Sequence, residues 1–297
     1  MIAPLLALAA ALQAAPASPP PPAPPAAAPT ATTPGDPVAA DWVAIADDQL
    51  LVMTLAGDRT VVIRLAAAYA PEHVANVRAL ALAHWWDGTS VYRVQDNWVT
   101  QWGDQTEKKP LPPGVAVRPA AEYDLVPGGL RVAQTMARAD AYSTASGITA
   151  DGWATASDGG AAWLTHCYGT VGVARDASPD TGSGAELFTP IGGSARRLDR
   201  NYAIVGRVIE GMAYLSGLPR SGAAMGMYAT AAERLPIVSV RLASDIPAAT
   251  RPRFEYRAAD NPRFTAMVAA RVAPKPPTVG LGGVDVCDVP LATRRAR

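Results

Sequence analysis

The chain has 297 residues, enough to bury a full core in one large domain or two small ones. Its 26 Lys and Arg balance 26 Asp and Glu, and no run of like charges breaks the balance. A nucleic-acid binder would carry a basic stripe or patch. Lys108–Lys109 and the terminal Arg294–Arg297 stretch are too short to form one, so duplex and membrane-surface binding are set aside.

Residues 2–17 (IAPLLALAAALQAAPA) form an apolar run ending in the small-x-small pattern Ala15–Pro16–Ala17. About fifteen apolar residues fall short of the roughly twenty that span a bilayer, but they suit the core of a signal peptide. The positive residues that open such a signal are missing, which leaves an Ala-rich tail as the alternative. Residues 18–40 are so dense in proline that amide donors are lost and φ is fixed, so they read as an extended linker. A Pro-rich ligand segment is the second option there. No later stretch is apolar for long enough to cross a bilayer, so a mature form released from its signal would lack a membrane span and would be periplasmic or secreted.

Gln49–Leu55 and Thr60–Ala66 are β-branched runs joined by Ala56–Gly57–Asp58–Arg59, which predicts a hairpin. Pro71 and Glu72 open a helical pattern whose apolar positions include Val74, Val77, Leu80 and Leu82, and Asp87–Gly88 closes it. Gly88–Asp104 (GTSVYRVQDNWVTQWGD) reads as strand, tight Gln95–Asp96–Asn97 turn, strand. Side chains two apart share a face, so Val91 is expected beside Arg93, and Val99 beside Gln101. A fixed cation, an amide and an apolar wall suit a neutral polar substrate with a hydrophobic part. Residues 105–168 are rich in Pro, Gly and Asp and read as loop. Further strands are predicted at Gly169–Ala174, Glu186–Ile191, Ala203–Val208 and Pro236–Leu242, with helices near Met212–Gly217 and Asn261–Val272. Many short strands with few helices indicate an antiparallel barrel or sandwich.

The chemistry-bearing residues are sparse. His73, His84 and His166 share no metal-ligand spacing, and His73 and His84 are expected at the surface of the first helix. No GxSxG or phosphate-binding loop is present, and Thr181–Gly184 reads as a turn. Cys167 and Cys287 are too far apart for CxxC chemistry. They form either a disulfide, in an oxidising compartment, or two independent buried thiols.

Two ordered segments carry a family likeness. Residues 61–104 hold a strand, a Pro-started helix with an Ala–Asn–hydrophobic–Arg core, and then hydrophobic-x-Arg-Val followed by Gln-x-Gly-Asp. Residues 169–212 hold a Gly–Thr–Val–Gly–Val–Ala strand, a Gly/Ser turn, Leu–Asp, and Ile–Val–Gly–Arg–Val–Ile–Glu–Gly–Met. Together they resemble the cyclophilin-type peptidyl-prolyl cis-trans isomerases over about residues 41–245, with an insertion at about 105–168 and an extension at 246–297.

The resemblance implies a mainly β fold: a closed antiparallel barrel of about eight strands capped by two helices. It implies a monomer that needs no cofactor or metal and acts on proline-containing polypeptides, assisting the folding of exported chains. Arg93 matches the family's catalytic arginine, and Gln101 the glutamine that orients it and bonds the substrate backbone. Trp98 and Val99 take the places of a phenylalanine and a methionine that line the proline pocket. Phe188 and Leu198 match further pocket residues, and Ala174–Arg175 the strand that pairs with the peptide. Glu186 stands where the family commonly has glutamine, close to the expected place of Arg93, where it could pair with the guanidinium. Arg197 replaces a frequent aromatic, Tyr202 a frequent histidine at the pocket rim, and Trp102 a usual glycine. A module that binds proline peptides or one specific partner without turnover is the alternative implied by these departures.

Overall fold

Alternating β-branched runs separated by Gly–Asp turns dictate the architecture seen in a computed structural model, which describes residues 35–126, 128–273, 277, 279–280 and 282–296. The expected signal peptide, and the expected linker as far as residue 34, lie outside the described residues. Where that segment enters the described region, it lies against the C-terminal part of the chain. The Gly35 carbonyl accepts from Arg257, and Asp41 takes a two-point bond from Arg263 at 2.7 and 2.8 Å.

The strands in chain order are β1 (Trp42–Ala44), β2 (Leu50–Leu55), β3 (Arg59–Leu65), β4 (Ser90–Val94) and β5 (Val99–Gly103), with helix α1 (Pro71–Leu82) between β3 and β4. The insertion contributes β6 (Val132–Thr135), β7 (Ala145–Thr149), β8 (Ala154–Ser157) and β9 (Ala162–Leu164). Then come β10 (Thr170–Val173), β11 (Leu187–Pro190), β12 (Ile204–Glu210), helix α2 (Met212–Ser216) and β13 (Leu235–Leu242). The extension holds β14 (Phe254–Arg257), helix α3 (Pro262–Val272) and β15 (Thr293–Arg295).

Eight strands close an antiparallel barrel in the order β10-β11-β5-β4-β13-β2-β3-β12. Closure leaves no free edge, which is how an all-antiparallel sheet avoids pairing with other chains. The barrel interior and its two capping helices share one apolar core. Leu51, Met53, Val61 and Ile63 enter it from the β2–β3 hairpin, Val74, Val77 and Leu80 from α1, and Leu215 from α2.

Two expectations are corrected here. The stretch 105–168 is not all loop: β6–β9 form a second antiparallel sheet. His73 is not on the surface but fully buried, with Nδ1 2.6 Å from Glu122 Oε2 and Nε2 3.1 Å from the Thr181 carbonyl. The helix turns this face inward because Glu122, carried by the insertion, caps its first turn. Glu122 accepts the Glu72 and His73 amides at 2.8 and 2.9 Å, where α1 has no capping side chain of its own.

The extension adds α3 and two strands, β14 and β15, which form a small sheet with the N-terminal β1 in the order β1-β14-β15. Its Ala259, Phe264, Val286 and Val289 pack with Met136, Ile148 and Ala154 of the insertion into a separate apolar cluster. A disulfide joins Cys167 to Cys287 across 120 residues of sequence.

Candidate functional site

The site is built as a row across neighbouring strands. Arg93 on β4 lies opposite Gln101 on β5, Gln101 lies opposite Phe188 on β11, and Phe188 lies opposite Gly172 on β10. Paired positions in adjacent strands share a face, so these residues form one continuous surface. A Cβ at Gly172 would overlap the tip of the Phe188 ring, so the bare glycine makes room for that ring against β10.

Arg93 reaches the row through an irregularity. The β4–β5 register shifts between Val91 and Arg93, leaving Tyr92 as an extra residue. Val91 therefore points into the barrel core together with Val94, while Arg93 points out. This corrects the expectation that Val91 and Arg93 share a face. On β5, which is regular here, Val99 and Gln101 do share one, with Thr100 and Trp102 buried on the other side.

Val99, Phe188 and Leu198 form an apolar cluster with Trp98, Ala174 and Tyr202. Every apolar position expected to line the pocket is brought together. Ala195 completes the cluster and was not singled out by sequence. Phe188 is held edge-on by Tyr202, at 5.5 Å between centroids and 85°. His166 supports its other side, stacked at 5.9 Å and 9° and bonded through Nδ1 to Asp199 at 3.2 Å. Sequence reasoning weighed His166 only as a metal ligand. Its role beneath the pocket had no signal in spacing. Arg197 lies over the Trp98 ring at 4.9 Å. Arg175 is pinned to the Asn201 carbonyl at 3.0 Å and to the Asp176 carbonyl at 2.6 Å, and lies over Tyr202.

The guanidinium of Arg93 is held from three directions. Nε donates to the Met225 carbonyl at 2.7 Å, Nη1 to Gln101 Oε1 at 3.0 Å and Nη2 to Gln95 Oε1 at 2.5 Å. Partial burial lowers its pKa from the ordinary arginine value. Glu186 does not pair with it. Its Oε2 accepts from Tyr92 Oη at 2.6 Å and its Oε1 from the Asp104 amide at 2.6 Å. The carboxylate can sit this close to the chain only because Gly103 (φ +144) has no Cβ to collide with it. Burial pushes the Glu186 carboxyl up to about 7, against the opposing pull of those two hydrogen bonds.

Beside this apolar cluster, and sharing Ala174 with it, lies a cavity of about 390 Å³ whose lining includes Gln101, Arg175 and Glu186. Among the described residues, no group of three or more His, Cys, Asp or Glu is arranged to hold a metal ion. No helix among them is long and apolar enough to cross a membrane.

The pattern described as "Cyclophilin type peptidyl-prolyl cis-trans isomerase/CLD" matches residues 50–241, most of the barrel and the whole Val99–Phe188–Leu198 cluster. The chain belongs to the cyclophilin family. Among solved structures it is similar to cyclophilin AquaCyp293 from Hirschia baltica, with a TM-score of 0.68 and 22% identity over 86% of this chain and 93% of that one. It also matches a Cryptosporidium parvum cyclophilin-type isomerase solved with the dipeptide Ala-Pro, at a TM-score of 0.41 and 14% identity over 65% of this chain and 98% of that one. No curated protein matches the chain. As a cyclophilin, it carries the family's barrel with an elaborated insertion and extension.

Proposed function

We propose that this cyclophilin is an active peptidyl-prolyl cis-trans isomerase acting on X–Pro bonds of flexible polypeptides. The observation that supports this reading is the Arg93 guanidinium fixed by Gln101, in one cross-strand row with Phe188 of the Val99–Phe188–Leu198 cluster. Rotating an X–Pro amide costs about 18–20 kcal/mol because conjugation is lost. In the twisted state the proline nitrogen becomes pyramidal and can accept a hydrogen bond. Each nitrogen of Arg93 donates once within the protein, and both terminal nitrogens keep a second N–H. A donor waiting for an acceptor that exists only in the twisted state lowers the barrier without tightening the ground state. The pocket holds the proline ring while the acyl side turns.

The substrates are read as exported chains. Support comes from the Cys167–Cys287 bond, since disulfides persist in oxidising compartments, and from the signal-like residues 2–17. Fractionation of cells combined with thiol alkylation tests this. A protein found in the cytosol with both thiols free overturns it.

A protease-coupled isomerase assay tests the activity. Arg93→Ala is expected to lower kcat/KM about 100-fold, in line with the loss of one donor to a transition-state charge. Activity unchanged in Arg93→Ala defeats the mechanism. A second reading, peptide binding without turnover, is favoured by the capture of Arg93 by Gln95 and the Met225 carbonyl. Wild-type protein that binds proline peptides but does not isomerise them establishes that second reading.

A further inference from the structure

We propose that Tyr92 and Glu186 are positioning residues for the isomerase reaction, fixing which way round the Gln101 amide stands and thereby the aim of Arg93. The proposal rests on the isomerase reading and adds to it a pair of residues that act through the Gln101 amide.

A glutamine amide has a donor end and an acceptor end of nearly equal size, and only its neighbours decide between them. Here Gln101 Oε1 accepts from Arg93 Nη1 at 3.0 Å and Gln101 Nε2 donates to Tyr92 Oη at 2.6 Å. Tyr92 Oη donates to Glu186 Oε2 at 2.6 Å, and Glu186 Oε1 accepts from the Asp104 amide at 2.6 Å. An ionised carboxylate can only accept. The single tyrosine proton must therefore go to Glu186, the tyrosine oxygen must accept, and Gln101 must turn its NH₂ toward it. That leaves the amide oxygen facing Arg93.

Protonating Glu186 removes this direction. One proton is taken up from solvent at Oε2 and donated to Tyr92 Oη. The tyrosine O–H is then free to donate to Gln101, whose amide turns over to receive it. The Gln101 NH₂ now opposes the guanidinium, donor against donor, and the Nη1 bond is lost. No other covalent bond changes.

The setting places this change in a useful range. Burial pushes the Glu186 carboxyl up to about 7, and the charges of Asp104 and Glu107 add to it. The groups facing Glu186 are Tyr92 from β4, with Asp104, Glu107 and Lys109 following β5. Arg175, Asp176 and Asp180, from the segment after β10, line the same cavity, as does the uncharged Trp85 from the segment after α1.

The test measures kcat and KM of wild type, Glu186→Gln, Tyr92→Phe and the double variant on either side of pH 7. Circular dichroism confirms that each folds. Wild-type kcat is expected to rise about tenfold with pH through the Glu186 titration, with KM little changed, the size of one charge-linked hydrogen bond. In Glu186→Gln the side-chain oxygen must accept from Asp104, so its NH₂ meets Tyr92 and the chain runs in the unproductive direction. Its kcat is expected to be about tenfold low and flat with pH. Adding Tyr92→Phe frees Gln101 to be oriented by Arg93 alone, and most of the loss is expected to return. Glu186→Gln with wild-type kcat and pH profile overturns the proposal, as does a double variant no better than the single one. The Gln101 side-chain amide resonances give a readout that needs no turnover: they are expected to shift with the Glu186 titration in wild type and not in Glu186→Gln. Resonances that stay still in wild type overturn the proposal even if the protein is inactive. Loss of the isomerase reading alone shows instead as absent wild-type activity with moving resonances.

Discussion

Arg93 faces the groove because one extra residue sits in β4. The alternation rule places Arg93 and Gln101 on their elements, but it cannot see a bulge. A bulge is decided by cross-strand pairing, here the need to point Val91 and Val94 inward together. The pocket residues Val99, Phe188 and Leu198 were legible because each is fixed by a family motif on a regular strand or turn. Glu186 was legible as a site residue, but its partners were not, since Tyr92 and the Asp104 amide reach it only through the fold. Its environment has a cost in stability. The carboxyl is raised from 4.5 to about 7 on folding, so the folded protein binds more protons between those values. Stability therefore falls as pH rises through that window, and the full penalty remains above it. Glu186→Gln is expected to raise unfolding free energy by about 1–3 kcal/mol well above pH 7 and to change little below pH 4.5. Urea titrations at the two pH values check this, and equal effects at both would contradict it.

At the scale of elements, α1 depends on a residue far away in sequence. The helix begins with Pro71 but supplies no cap, and Glu122 provides one while also holding His73. Burial alone would raise the Glu122 carboxyl, but His73 and the two amides outweigh it and hold it below its ordinary value. A depressed carboxylate contributes stability above its unfolded pKa, and that contribution is lost as pH falls through the folded one. Glu122→Ala is expected to cost about 1–3 kcal/mol at neutral pH, measured by thermal or urea unfolding, with the difference shrinking in acid. Sequence reasoning found α1 from its Pro–Glu start but missed the cap, because the capping partner lies in a stretch with no periodicity. The same stretch hid β6–β9. Their residues are mostly Ala, Ser, Thr and Gly (ASGIT, ATAS), with weak strand preference and no clear alternation. Tertiary pairing and the burial of Ile148 and Trp163 make them strands.

Across the whole molecule, the barrel was legible because its strands are apolar, β-branched and separated by turns. The union of insertion and extension was not. Met136, Ile148 and Ala154 bury themselves against Phe264, Val286 and Val289, a pairing no local pattern announces. Deleting residues 246–297 would strip that cluster as well as Cys287, so it is not a clean test of what the extension does. Replacing Cys167 and Cys287 together by serine is the more informative change. It is expected to lower stability by about 2–5 kcal/mol while leaving kcat/KM near wild type, because neither cysteine lines the pocket. Loss of activity with the fold intact would show that the extension governs the groove.

The disulfide also divides the chain topologically. It closes a covalent ring from Cys167 to Cys287 that holds β10, β11, β12 and β13, while β2, β3, β4 and β5 lie on the open chain before it. Around the barrel, ring and open chain meet at four seams: β11–β5, β4–β13, β13–β2 and β3–β12. Gln101 and Phe188 face each other across the first of them. The groove thus straddles a border between a closed loop and a free strand. A single backbone cut within the ring leaves one covalent molecule, whereas a cut in the insertion before Cys167 leaves the two walls joined by hydrogen bonds and packing alone.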